Sequence, residues 1–110
     1  MKPALLHPAA RAEIRLFPAL VRRELGKAIF DLQKGEVLRM PLSRPMPSLA
    51  GGAAELRIGD RTGIYRVFYY AQSPRGILIF HAFVKKSRAT PKRELDLARK
   101  RLEELLDEKI

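Results

Sequence analysis

Two runs rich in β-branched and aromatic residues, Thr62–Tyr70 and Ile77–Val84, flank the turn-forming stretch Gln72-Ser73-Pro74-Arg75-Gly76. Strands joined this closely pair antiparallel, so the middle of the chain is committed to a sheet. Ala54–Ile58 precedes them and alternates, with Leu56 and Ile58 on one side and Glu55 and Arg57 on the other. Gly59-Asp60-Arg61-Thr62-Gly63 has the glycine and aspartate content of a hairpin turn, which extends the pair to a three-strand antiparallel meander. Along its middle strand Ile64, Arg66, Phe68 and Tyr70 share one face, and Tyr65, Val67 and Tyr69 the other. Ile77–Val84 is apolar nearly throughout, as a central strand covered on both faces should be.

Helices flank the meander. Ala4-Leu5-Leu6-His7, between Pro3 and Pro8, reads as a short edge strand. Ala9–Leu16 is made of helix formers, and Pro18 then imposes a break and a new first turn. Val21, Leu25, Ala28, Ile29 and Leu32 form the apolar stripe of a second helix, which Lys34 and Gly35 close. Gly26 inside it signals either close approach of another element or a tolerated defect. Val37–Gly52, with Pro41, Pro45, Pro47, Gly51 and Gly52, is expected to be an irregular connection. Thr90-Pro91 opens a last helix as N-cap and first residue, with Leu95, Ala98, Leu102 and Leu105 as its apolar stripe and an ion-paired, solvated opposite face. The expectation is an α+β fold in one domain spanning residues 1–110: short strand, two helices, meander, helix.

The charge is concentrated on that sheet. Of a net charge of +10, the segment from Arg57 to Arg93 carries +8, through nine basic residues and one acid, Asp60. Folding does not require such clustering, whereas binding a polyanion does, because each neutralised phosphate releases counterions. Nucleic acid is therefore the expected partner, although basic residues that merely solvate a sheet are the bland alternative. With no cysteine there is neither a disulfide nor a thiolate metal site, and His7 and His81 alone make an all-protein zinc site improbable. The first residues lack the apolar core of a signal peptide, and no run approaches the roughly 20 apolar residues of a membrane span. The chain reads as a soluble cytoplasmic protein with no membrane partner.

Glu55-Leu56-Arg57, Gly63-Ile64-Tyr65-Arg66-Val67, His81-Ala82-Phe83-Val84-Lys85-Lys86 and Thr90-Pro91-Lys92-Arg93-Glu94 together resemble the phage-derived branch of the RelE/HigB toxin superfamily. The resemblance spans most of the chain and implies a RelE-like fold. It implies a type II toxin–antitoxin toxin, a ribosome-dependent endoribonuclease that cuts mRNA in the decoding site and is silenced by a cognate antitoxin, expected to be a helix-turn-helix protein. Whether the chain assembles with itself or only with that antitoxin stays open.

Metal-free cleavage through attack by the 2′-hydroxyl suits a chain with no carboxylate or histidine cluster, and no cofactor is expected. The reaction needs a group to take the 2′ proton, cations for the charge on the phosphate, and an acid for the 5′ oxygen. Arg66 matches the phosphate-binding arginine of the resembled family, and Arg57 stands where relatives carry a basic residue; arginine's fork meets phosphate bidentately. Lys85 and Lys86 follow the third strand, where the family places a basic residue near the scissile phosphate, and a lysine depressed by neighbouring cations exchanges protons near neutrality. Relatives also use a tyrosine or histidine near the C-terminus. Downstream of Lys86 this chain has neither, and Lys92 lies nearest. Arg61, Arg88, Arg93 and Tyr65 are expected to touch RNA, Tyr65 by stacking. His81 is expected to be a buried, hydrogen-bonded histidine sharing a face with Ile79 and Phe83. A non-catalytic RNA- or DNA-binding module and a protein-interaction domain are the competing readings of the same basic sheet.

Overall fold

In the computed structural model, which describes residues 1–86 and 89–107, the chain runs β1 (Ala4–Leu6), α1 (Pro8–Arg15), α2 (Ala19–Gln33), β2 (Ser43–Pro45), β3 (Ala53–Asp60), β4 (Gly63–Ser73), β5 (Gly76–Lys85) and α3 (Lys92–Leu106). The architecture is α+β, with a five-stranded mixed sheet in the order β1-β5-β4-β3-β2. β3, β4 and β5 form the antiparallel meander that the turn residues predict. β1 adds in parallel to the outer side of β5, with Ala4 opposite Ile77. Gly76 permits that approach: at φ +133° a Cβ there would stand 2.3 Å from the Pro3 carbonyl oxygen. With strands on both sides and helices on both faces, β5 is buried from Gly76 to Phe83.

Each helix lays its stripe on one face. Val21, Leu25, Ala28 and Leu32 of α2 pack against Leu56, Ile58, Tyr65, Val67, Ile77 and Ile79. Ala98, Leu102 and Leu105 of α3 pack on the opposite face against Phe68, Leu78, Phe80 and Phe83. Truncating Leu25, which is 2% exposed, would cost about 2–5 kcal/mol through lost transfer energy and the cavity left behind. The start of α3 lies one residue later than expected, with Pro91 as the N-cap and Lys92 as the first helical residue.

Two expectations are corrected, and one open alternative is decided. The connection over residues 37–52 contains β2, whose Ser43, Arg44 and Pro45 pair with Leu56, Glu55 and Ala54. Pro45 hides this strand from composition, and an edge position tolerates it because an edge needs no second partner. Of the two readings of Gly26, the tolerated defect holds: a Cβ added there meets no atom within 4 Å. The strict alternation assumed for β5 also fails. Phe68 faces His81 but Tyr69 faces Ile79, so Phe80 is an inserted residue. The bulge turns Phe80 and His81 to the α3 face together, while Ile79 and Ala82 stay on the α2 side.

Candidate nucleic-acid interface

Glu55 is the centre of the basic face. It sits in β3 directly opposite Arg44 of β2, and two residues before Arg57. Arg57 in turn faces Arg66 of β4, and Arg66 faces Phe83 of β5. Because antiparallel partners share a face, Arg44, Glu55, Arg57 and Arg66 project from the sheet on the α3 side, toward the β3–β4 hairpin from Phe68. Lys85, two residues beyond Phe83, completes the group on that face.

The Glu55 carboxylate is wholly buried, and Arg66 donates to it through a guanidinium N–H at 2.7 Å. Arg66 is itself only 2% exposed, so this is a buried ion pair and not a free surface cation. Arg44 approaches the second carboxylate oxygen at 3.3 Å and Arg57 at 3.9 Å, both a third or so exposed. Neither is aligned as a hydrogen bond: Glu55 Oε1 and the Nε atoms of Arg44, Arg57 and Arg66 are buried without a hydrogen-bond partner. Such a group of unmet donors is costly unless an acceptor arrives. One acid against four cations leaves the cluster at a net +3, and an anion that could take those donors meets both the charge and the geometry.

Lys85 registers the crowding. Burial comes first in holding its amine below the usual lysine range, followed by repulsion from Arg66 and then from Arg44 and Arg57, with Glu55 opposing them. The five side chains are therefore one electrostatic unit, spread over residues 44 to 85 of the chain. Sequence reading found Arg57, Arg66 and Lys85 but missed Arg44 and Glu55. The alternation that set Glu55 beside Arg57 was the available signal; nothing local marks Arg44, whose strand was unread.

The other expected site residues lie elsewhere. Tyr65 is buried on the α2 side, its ring 4.8 Å from Phe17 and its hydroxyl hydrogen-bonded to Thr62, so it offers no face to a base. Arg61 is exposed in the β3–β4 turn, and Lys86 is exposed after β5. Lys92 is 88% exposed and pairs with Asp96 on its own helix at 3.6 Å. Arg93 lines a 240 Å³ cavity with His81, Phe83, Glu94 and Arg101. Arg88 lies outside the described residues.

Both histidines hold α3. His81 is 2% exposed, with Nε2 2.8 Å from a Glu94 carboxylate oxygen and Nδ1 2.7 Å from an Arg101 N–H. An arginine can only donate, so His81 accepts at Nδ1 and donates from Nε2, the neutral tautomer. Burial, the largest influence, lowers its pKa accordingly; Glu94 raises it, and Arg101 and His7 oppose its protonation. His7 caps α1 by accepting from the Ala9 N–H at 3.0 Å, and its Nε2 reaches Glu104 at 3.0 Å.

A basic sheet face flanked by a C-terminal helix, in this element order, agrees with the family comparison: residues 12–103 match the family described as Phage derived protein Gp49-like (DUF891). The chain belongs to that Gp49-like family. The family falls in the RelE/HigB-like toxin clan and is associated with the toxins of toxin–antitoxin pairs, which implies an antitoxin partner. Among curated proteins, none matches this chain. Among the described residues of this Gp49-like protein, no helix is long and apolar enough to cross a membrane.

Proposed function

We propose that this chain is the toxin of a type II toxin–antitoxin pair and a ribosome-dependent mRNA endoribonuclease, with the Arg44–Glu55–Arg57–Arg66–Lys85 cluster as its phosphate site. The observation that carries the reading is the set of unmet, buried guanidinium N–H donors around a single carboxylate, at a net charge of +3. Arg57, partly exposed, meets the phosphate directly. Arg66 acts from beneath: one N–H is committed to Glu55, and its buried charge adds to the field that Arg57 and Arg44 present to the anion. Glu55 thereby fixes the fork of Arg66 and sets the spacing of Arg44 and Arg57, a preorganised clamp for charge that grows in the transition state.

On the ribosome, the chemistry draws on the RNA's own 2′-hydroxyl and these cations. The 2′ oxygen bonds to the adjacent phosphorus as its proton leaves, the bond from phosphorus to the 5′ oxygen breaks, and that oxygen takes up a proton. Lys85, with its lowered pKa, is the cluster's proton carrier. Lys86, Lys92, Arg61 and Arg93 supply exposed positive charge outside the cluster that draws the strand in. A helix-turn-helix antitoxin that covers this face would silence it.

The test is growth and transcript integrity after induced expression in bacteria, comparing wild type with Arg57→Ala and Lys85→Ala at matched levels. Arrest with cuts inside translated regions for wild type, and neither for the variants, is the expected result. Harmless wild type with intact transcripts would refute the nuclease and leave a module that binds RNA without cutting it.

A further inference from the structure

We infer that the cavity next to the phosphate cluster, formed by Pro41, Arg57, Gly59 and Ile64, is a slot for one nucleobase of the bound RNA. The inference rests on the RNA-binding reading above and adds a contact that the cations alone do not provide.

The slot is built by two backbone pairings. The Arg57 N–H donates to the Leu42 carbonyl at 2.9 Å, which brings Pro41 alongside the end of β3. Gly59 faces Ile64 across the hairpin, and Ile64 faces Lys85. Arg57, Gly59 and Ile64 are therefore on the same face of the sheet as the cluster, and Arg57 belongs to both sites. The cavity measures about 220 Å³. That is smaller than the roughly 300–1,000 Å³ that holds a drug-sized ligand, and it suits one flat ring system.

Its chemistry is that of a stacking platform. Pro41 and Ile64 present apolar surface, and Ile64 is 39% exposed although the next residue, Tyr65, is buried. The planar Arg57 guanidinium stacks on a base while its N–H groups reach a phosphate, a pairing of charge and ring that recurs in single-stranded nucleic-acid binding. Gly59 keeps the floor open: a Cβ there would meet only the Gly63 carbonyl oxygen, 4.0 Å away. A residue with a side chain at this position would stand in the space a base takes.

The experiment compares binding of the full chain to a short labelled oligouridylate and to its abasic counterpart, by fluorescence anisotropy at one salt concentration. Wild type is expected to prefer the strand with bases by about tenfold, the order of one base stacked on protein. Gly59→Leu fills the slot and should bring that preference close to one, and Ile64→Gln, at an exposed position, should do the same if the leucine variant fails to fold. An unchanged preference in folded variants overturns the slot. Equal binding of both strands by wild type also overturns the slot and leaves the phosphate clamp standing. Failure of wild type to bind either strand overturns the RNA-binding reading, and the slot with it.

Discussion

Replacing Arg66 by methionine should unfold a large part of what holds the basic face together before it reports on chemistry. The substitution keeps most of the stem's bulk and removes the charge that donates to Glu55 at 2.7 Å. Glu55 is 0% exposed, so its carboxylate cannot exchange the lost partner for water. Breaking a buried pair from one side costs about 3–5 kcal/mol. Arg44 and Arg57 remain at 3.3 and 3.9 Å, poorly aligned, which points to the low end, about 3 kcal/mol. In a chain of this size that corresponds to a fall in Tm of roughly 10 °C or more. Glu55→Leu combined with Arg66→Met removes both charges and leaves two arginines that already reach solvent, so at least half of the loss should return. Urea titration with an unchanged slope measures both variants. A single substitution that costs under about 1 kcal/mol, or a double variant no more stable than the single, would refute the view of Glu55 as a buried charge that depends on Arg66. The same reasoning makes Arg57→Ala the cleaner functional variant.

Further expectations are independent of that pair. Lys85→Met should raise the urea midpoint while weakening RNA binding, because the native cluster disfavours the charged amine; a drop in stability would contradict this. Arg57→Ala should flatten the plot of log affinity against log salt by about 0.7 per lost phosphate contact on single strands, and an unchanged slope would remove Arg57 from the interface. For His81 the folded pKa lies below the unfolded value, so at mildly acidic pH the unfolded chain binds more protons. The stability that His81 contributes is thus present above about pH 6.5 and lost as pH falls below it, and thermal melts of wild type and His81→Gln should converge there. Gly26→Ala should stabilise by up to about 1 kcal/mol, since the helix gains propensity and the methyl meets nothing, whereas Gly76→Ala should destabilise through its collision with Pro3. Thermal melts of the two variants should shift in opposite directions.

Much of the fold was legible because its signals are local. The turn residues at 59–63 and 74–76 close hairpins wherever they stand, and the spacing of Val21, Leu25, Ala28 and Leu32 makes a stripe whatever covers it. β2 was not legible, since three residues ending in proline form a strand only when β3 is there to pair with them. His81 was expected to be buried beside Phe83, and it is; the expected neighbour Ile79 lies on the other face, because the bulge at Phe80 is set by the match between β4 and β5 and not by β5 alone.

The sequence by itself determined the order of every element but β2, the helix stripes and the excess of positive charge on the sheet, because propensity, periodicity and net charge need no knowledge of neighbours. Only the tertiary structure decided which cations act together. Arg44, Glu55, Arg66 and Lys85 come from four strands, and their meeting depends on register. Register also buried Arg66, the expected phosphate-binding arginine, against Glu55, and set Tyr65 under Phe17. Burial and pairing are properties of distances between residues far apart in the chain, and those exist only once the sheet has closed.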